Sequence, residues 1–376
     1  MPDSVLTGEK RRPRFRPSEG ISLKLLATAG LLYLFVLSIT LLGESFQLFG
    51  SAFAGTVFRA TSNPVVGLMI GLLTTSLIQS SSTTTSIVVG LAASGVIGIP
   101  EAVPMVMGAN IGTSITNTIV SLGHLSRAEE FKRAFAGSVL HDFFNLCSVI
   151  VLLPLEIAFG IISRSAIAFE EMLQGWGGLK FTSPIKAITK PVAELILHST
   201  GDVGWIGALI SLLLLFFALR YIVKMLRSLV LARVERFFQR YIFRTPALGL
   251  LLGLFITVIV QSSSVTTSLS VPLLGAGVLS LSQIYPYLLG ANVGTTVTAF
   301  LASFAATGST EAAVSVAFAH LLFNVCGILI FYPLQRLPIW LARTLANLTA
   351  KSRLVPLAYI AITFFLIPGL IVYMTG

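Results

Sequence analysis

The residues best suited to chemistry lie in two short polar segments of an otherwise apolar chain. The segments read Gln79-Ser80-Ser81-Ser82 and Gln261-Ser262-Ser263-Ser264, and 182 residues separate them. We call them the first and second QSSS segments. Carboxamide and hydroxyl groups donate hydrogen bonds to anions and also present oxygen atoms to cations. Neither segment contains a charged residue, so a polyanion bound there would require cations bound beside it.

A second motif is repeated downstream of each QSSS segment, again 182 residues apart. It reads Gly108-Ala109-Asn110-Ile111-Gly112-Thr113 in the first copy and Gly290-Ala291-Asn292-Val293-Gly294-Thr295 in the second. Glycines let two backbones approach closely or let a helix unwind. A single hydroxyl cluster in a membrane helix often serves only to hold helices together. Because the whole set occurs twice, we expect a binding site between the two halves of the chain.

The composition places these motifs in a membrane protein. Of the 376 residues, 55% are hydrophobic and 11% are charged, whereas soluble proteins have about 25% charged residues. The apolar runs are continuous, which favours an all-α integral membrane protein over a β-barrel. We predict about seven full spans, near residues 21–43, 101–121, 132–160, 203–227, 283–303, 312–335 and 354–374.

Each QSSS segment interrupts an apolar stretch that is not counted among these spans. The stretches are 64–98 and 246–280, and each arm is about 22 Å of helix against a hydrocarbon core of about 30 Å. Two short arms joined by a polar tip predict a re-entrant hairpin. Such a tip is tolerated at membrane depth only where it is buried in protein or lines a wet cavity.

The basic residues predict the topology. The net charge of +10 fits loops on the cytoplasmic side better than it fits a nucleic-acid surface. With a cytoplasmic N-terminus, three spans separate the hairpins, so the two repeats have inverted topology and the hairpins enter from opposite faces. The predicted regions are a disordered tail (1–20), repeat 1 (21–160), an extracellular or periplasmic loop (161–202), repeat 2 (203–335), and an interfacial segment with the last span (336–376).

A third repeated motif, His-x-x-Phe-Asn, starts at His141 and at His320. Two histidines in separate helices are more often hydrogen-bonded packing residues than ligands or proton carriers. Asp142 has a leucine in its place in repeat 2. It either pairs with a basic residue or a histidine at the cytoplasmic end of its span or tunes ion coupling. We expect Cys147 and Cys326 to be packing residues. No enzyme motif is present, so no catalytic residues are predicted.

Taken together, these residues resemble the type II sodium-dependent phosphate cotransporter family. The resemblance covers nearly the whole chain from about residue 21, and includes both QSSS segments, both Gly-x-Asn-x-Gly-Thr motifs and the string from Arg133 to Asn145. It implies import of inorganic phosphate, mainly HPO₄²⁻, coupled to Na⁺ as the co-transported ion, with no organic cofactor. The duplicated set is far more specific than a single QSSS segment.

The resemblance also implies site residues. Phosphate would contact both QSSS segments, with Asn110 and Asn292 beside them. One Na⁺ site would combine Gln79, Ser262, Thr295 and Thr298. By the repeat, a second Na⁺ site would combine Gln261, Ser80, Thr113 and Thr116.

Two alternatives remain at this stage. The protein could be a Na⁺-coupled symporter of another anion, such as sulfate or a carboxylate, or less plausibly a channel. The expected partners are inorganic phosphate, Na⁺ and the lipid bilayer, with a homodimer compatible with the family. We expect a multi-pass protein of the plasma membrane, the inner membrane of a bacterium, that operates by alternating access and binds no nucleic acid.

Overall fold

A computed structural model describes residues 17–177, 184–241, 245–349, 352 and 354–375. Every regular element in these residues is a helix. Six helical stretches are long and apolar enough to cross a membrane: Leu26–Leu48, Ala128–Phe159, Gly204–Met225, Leu281–Ala305, Thr310–Phe331 and Val355–Thr375. The predicted tail over 1–20 falls mainly outside the described residues.

The helices of the first half run in the following order. They are α1 (Pro17–Leu48), α2 (Gly50–Thr61), α3 (Pro64–Ile78), α4 (Ser81–Ala93), α5 (Ile99–Gly112), α6 (Ile115–Ser121), α7 (Ala128–Phe159), α8 (Ile161–Gly177) and α9 (Pro184–Ser199). A short 3₁₀ turn over Leu122–His124 follows α6. The helix pair Gly55–Thr61 and Pro64–Ile78 is bent by 100°.

The second half continues with a matching order of helices around its QSSS segment. They are α10 (Gly204–Tyr241), α11 (Pro246–Val260), α12 (Ser263–Ser268), α13 (Ser270–Gly275), α14 (Leu281–Ala305), α15 (Thr310–Phe331), α16 (Arg336–Thr349), α17 (Val355–Ala361) and α18 (Ile367–Thr375). A π-helical turn over Ile362–Leu366 joins α17 to α18.

The two copies of the repeated sequence pack in the same way. A side chain at Gly71 on α3 would collide with the Met105 carbonyl on α5, and one at Gly253 on α11 would collide with the Tyr287 carbonyl on α14. Glycine therefore allows backbone-to-backbone contact between the first arm of each stretch and the helix that carries its asparagine. These two contacts hold each QSSS segment beside its own Gly-x-Asn-x-Gly-Thr motif.

The predicted span 101–121 is interrupted, which accounts for six candidate spans instead of seven. It forms α5 and α6, which meet at Thr113 and Ser114, and the Ser114 N–H donates to Ile111 O rather than to the residue four earlier. The matching stretch of α14 has similar hydroxyl residues but is continuous. What differs is that Ser264 donates from α12 to Thr113 O at 3.5 Å, which gives the freed carbonyl a partner.

The second half has an interruption of its own between α12 and α13. Pro272 lies one turn beyond it and has no N–H to donate to Ser268. The first half has Gly90 at that position, and α4 is continuous through it.

Two other segments differ from the sequence expectation. Residues 161–202, predicted as a loop, contain α8 and α9. The span predicted over 203–227 is part of a longer helix, α10, which continues to Tyr241; 242–244 lie outside the described residues. Helix α1 packs along α10, and α9 packs on α1.

Candidate functional site

Each QSSS segment begins with a glutamine in the left-handed backbone region. Gln79 has φ 59° and Gln261 has φ 55°; Asp202 is the one other non-glycine residue with positive φ in the described chain. This conformation is costly for a residue with a side chain, and it clusters at functional sites. It stops α3 and α11 and turns the chain abruptly into the following serines.

The glutamine side chains are fixed by the same pair of contacts in both copies. Gln79 Nε2 donates to Ser76 O at 2.6 Å, and its Oε1 accepts from Thr116 at 2.9 Å. Gln261 donates to Val258 O and accepts from Thr298 at 2.9 Å. One carboxamide N–H of each glutamine remains for another partner.

The serine that follows each glutamine caps the next helix. Ser80 is extended and its hydroxyl accepts from the Thr83 N–H at 3.2 Å. Ser262 has the same conformation and accepts from the Val265 N–H at 3.3 Å. Extended serines in this role start helices efficiently. The next helix therefore starts directly after each capping serine, and the other N–H groups in the first turn of α4 have no intrahelical acceptor.

Both QSSS segments line a single cavity of about 860 Å³, within the usual size of a small-molecule site. All eight QSSS residues contribute to its wall, together with Thr116 from α6. Ser81, Ser82 and Ser263 are less than one-tenth exposed, while Gln79 is exposed. The two segments that the sequence separates by 182 residues thus meet in space.

The cavity wall also contains a positive charge. Arg220 on α10 lines the cavity together with Phe216, Leu219 and Val223 from the same helix. It is the one charged residue in the lining, and no carboxylate among the described residues pairs with it. The cavity therefore combines uncharged donors with one fixed cation, which the uncharged QSSS segments did not predict.

Asn110 and Asn292 lie in a buried polar network and are absent from the cavity lining. His141 Nε2 contacts Asn292 Oδ1, and His320 Nε2 contacts Asn110 Oδ1 at 3.3 Å. The histidine of each half is thus hydrogen-bonded to the asparagine of the other. This crossed arrangement ties the two repeats together within the core.

Backbone carbonyls determine the protonation of both histidines. Asn145 Nδ2 must donate to Asn110 O, so its Oδ1 accepts from Asn292 Nδ2 at 2.9 Å. Asn292 then presents only an oxygen to His141, which must donate through Nε2. Asn110 donates to Val106 O and likewise presents an oxygen to His320. Both rings carry a proton on Nε2.

Asp142 is fully buried beside this network. Tyr359 from α17 donates to its Oδ2 at 2.8 Å, and Ser114 lies next to the carboxyl group at the α5–α6 interruption. Oδ1 has no hydrogen-bond partner among the described residues. The partner is therefore a tyrosine from the last span and not the basic residue considered from the sequence.

The structure groups the predicted Na⁺ ligands within each repeat. Thr298 contacts Gln261 and not Gln79, while Thr116 contacts Gln79 and not Gln261. The hydroxyls of Thr113 and Thr295 donate back to Ala109 O and Ala291 O. Thr113, Thr295 and Thr298 lie behind the cavity wall and do not line it. The same glutamine–threonine hydrogen bond thus recurs in each half, with Thr116 in the cavity wall and Thr298 behind it.

Comparison with known proteins identifies the family of the chain. The family model for the Na⁺/Pi-cotransporters matches residues 34–179 and 214–337. The chain belongs to the Na⁺/Pi-cotransporter family. The matched ranges contain both QSSS segments, both asparagine motifs and both His-x-x-Phe-Asn motifs. Membership, together with the apolar helices, makes the chain a multi-pass membrane transporter of the sodium–phosphate class.

Individual relatives match over almost the whole chain. Sodium-dependent phosphate transport protein 2A of Rattus norvegicus is 35% identical over 99% of this chain and 71% of its own length. Sodium-dependent phosphate transport protein 2B of Homo sapiens is 36% identical over 92% of this chain and 64% of its own length. No solved structure matches the chain.

Proposed function

We propose that this protein imports inorganic phosphate together with Na⁺, and that both bind at the cavity between the two QSSS segments. The observation that carries the proposal is the convergence of both segments on one cavity in a chain of the Na⁺/Pi-cotransporter family. The relatives named above are sodium-dependent phosphate transport proteins.

Phosphate would bind to the hydroxyls and amides of the cavity wall. The serines offer O–H donors, and the start of α4 offers backbone N–H groups that have no intrahelical acceptor. Arg220 adds a charged donor of the kind that suits phosphate oxygens. In this proposal Asn110 and Asn292 support the site from the buried network and do not touch the anion directly.

Sodium would bind beside phosphate and balance its charge. Each glutamine oxygen already faces a threonine hydroxyl, Gln79 with Thr116 and Gln261 with Thr298. Oxygen atoms at the ends of α3 and α11, where the helical carbonyls lose their partners, suit Na⁺. We propose one Na⁺ near each glutamine–threonine pair, with Ser262 and Ser80 as the cross-repeat ligands.

Transport would proceed by alternating access of two inverted repeats. Each QSSS turn joins helical arms that are too short to cross a bilayer, of 15 residues in α3 and 15 in α11, as re-entrant hairpins require. We propose that the hairpins enter from opposite faces, with the N-terminus in the cytoplasm of a bacterial cell. Movement of the hairpin-bearing helices against α1 and α10 would expose the cavity to each side in turn.

Uptake of radioactive phosphate into liposomes tests this proposal. The wild type is expected to show saturable uptake that requires a Na⁺ gradient. Gln79→Ala and Gln261→Ala should each reduce uptake strongly, whereas Gln47→Ala should not, since Gln47 is exposed on α1 away from the cavity. Normal uptake by both cavity variants would contradict the site.

The substrate is tested by competition in the same liposomes. Arsenate should compete with phosphate because it has the same shape and charge, and sulfate should not. Stronger competition by sulfate would instead identify the protein as a symporter of another anion. Uptake without saturation or Na⁺ dependence would identify a channel.

A further inference from the structure

A second pocket, lined by none of the QSSS residues, has a strongly basic wall. It has a volume of about 400 Å³ and is lined by residues from α7, α13, α14 and α16 and from the connection before α14. Three of its lining residues are cations, Lys132, Arg133 and Arg343, and Glu129 is the one acid. Ser280 and Asn347 add polar groups to the wall. None of these residues belongs to the cavity described above.

The three cations have no carboxylate partner. No described acid lies within ion-pair distance of Lys132, Arg133 or Arg343. Arg133 uses its Nε to donate to Gly275 O at 2.9 Å, which leaves its terminal N–H groups available. Like charges that gather in a pocket without counter-charges repel one another, unless an anion binds between them.

Backbone dipoles add to this positive charge. The pocket lies at the starts of two long helices, α7 from Ala128 and α14 from Leu281. The first turn of a helix carries partial positive charge. At the start of α14 the Ser280 hydroxyl accepts from the Gln283 N–H and the Ser280 N–H donates to Gln283 Oε1, so the partial charge of this helix start lies on the remaining N–H groups of its first turn.

The helix that carries Arg343 also exposes apolar side chains. On α16, Leu337 is 45% exposed, Trp340 60% and Leu348 42%. Tryptophan and leucine next to arginine are typical of a helix at the membrane interface. A free inorganic anion would bury none of this apolar surface, whereas the acyl chains of a lipid would cover it.

We propose that this pocket binds the phosphate headgroup of an anionic phospholipid, with the acyl chains against the exposed face of α16. The bound headgroup would neutralise Lys132, Arg133 and Arg343. It would also stabilise the contact between α7 and α13, because Leu274 lines the pocket and packs against Gly137 of α7. Helix α13 follows the second QSSS segment. A bound lipid would therefore hold in place a helix close to that segment in the chain.

Native mass spectrometry of the purified protein tests the proposal independently of transport. Phosphatidylglycerol and phosphatidylcholine are titrated onto the wild type and onto Lys132→Gln/Arg343→Gln. The wild type should retain phosphatidylglycerol preferentially. The double variant should bind it about 30-fold more weakly, because each basic residue contributes about fivefold. Arg336→Gln is the matched control, since Arg336 is exposed on the same helix outside the pocket.

The outcomes separate the possible ligands. Equal binding of the two lipids, or equal loss of phosphatidylglycerol in the control and double variants, would overturn the proposal. Displacement of the lipid by millimolar inorganic phosphate would identify a free-anion site and would also overturn it. Faster uptake in vesicles containing phosphatidylglycerol, abolished in the double variant but kept in Arg336→Gln, would support the link to the second QSSS segment.

Discussion

Thr116 donates a hydrogen bond of 2.9 Å to Gln79 Oε1, and Thr298 does the same for Gln261. The two contacts are equivalent by the repeat, and each holds a glutamine whose backbone is already in an unfavourable conformation. The side chain therefore contributes to keeping the QSSS turn in place. Each threonine lies 37 residues after its glutamine, so the contact is tertiary and not local.

Thr116→Val and Thr298→Val should each weaken Na⁺ binding without unfolding the protein. Valine keeps the shape of threonine but removes the hydroxyl, and a lost hydrogen bond of this kind costs about 1 kcal/mol. We expect the Na⁺ concentration for half-maximal uptake to rise about fivefold. The measurement is Na⁺-dependent phosphate uptake in liposomes.

A double-mutant cycle provides the control for this prediction. If threonine acts through glutamine, Thr116→Val should add little to Gln79→Ala, because the partner is already absent. If the losses of uptake in the two single variants add fully in the double variant, the threonine acts on the ions independently of the glutamine. Thr344→Val, at an exposed position on α16, should leave uptake unchanged.

Arg220→Gln should raise the phosphate concentration needed for half-maximal uptake. A charged donor to a phosphate oxygen contributes about 1.5 kcal/mol or more, so we expect a rise of about tenfold, with Arg220→Lys closer to the wild type. The effect should shrink at high ionic strength, where charge is screened. Lys224→Gln is the control, since Lys224 is exposed one turn further along α10 and does not line the cavity. An unchanged half-saturation value in Arg220→Gln would remove this residue from the site.

Much of this site was accessible from the sequence because its parts are duplicated. A polar QSSS segment in an apolar chain predicts a turn inside the membrane, and the second copy predicts a partner for it. The structure brings Gln79 and Gln261 to one cavity, as the repeat suggested. The close packing of Gly71 and Gly253 follows from the same repeat.

Other features depend on contacts between distant segments, which local sequence does not reveal. Arg220 resembled the other basic residues of its helix, and only the fold turns it towards the cavity. The interruption at Thr113 and Ser114 has residue types similar to those of the continuous stretch in α14, and it is distinguished by a contact of Thr113 O with Ser264 of the other half. The partner of Asp142 comes from the last span, which has no counterpart in the repeat.

His141→Gln should preserve the fold better than His141→Ala. Asn292 presents an oxygen to this position, and a glutamine can still donate an N–H to it, whereas alanine leaves a buried acceptor unsatisfied at a cost of about 1–3 kcal/mol. Thermal unfolding of the purified protein measures the difference. Nitrogen chemical shifts of labelled histidine provide a direct check, and a proton on Nδ1 instead of Nε2 would contradict the network.

Asp142→Asn should change how uptake depends on cations. A buried carboxyl group without a basic partner is costly when charged, so it either holds a proton or attracts a cation from solution. The amide can do neither, and we expect a shifted Na⁺ or pH dependence of phosphate uptake. Tyr359→Phe keeps the carboxyl group and should cause a smaller shift in the same direction. Wild-type Na⁺ and pH dependence in Asp142→Asn would assign the residue a purely structural role.

Gly253→Ala should destabilise the protein, because the added methyl group would collide with the backbone of α14 at Tyr287. Overpacking of this kind costs about 1–3 kcal/mol, and here it would separate α11 from the helix that carries Asn292. The unfolding midpoint should fall, and phosphate uptake should fall with it because the second QSSS segment loses its support.

Gly30→Ala is the matched control, since no atom of the described residues lies within contact distance of that position. Gly30→Ala should keep the wild-type uptake, and its unfolding midpoint should be unchanged or slightly higher because alanine has the greater helix propensity. Equal behaviour of the two variants would mean that α11 and α14 tolerate separation, and that the QSSS segment is held in place by its glutamine contacts alone.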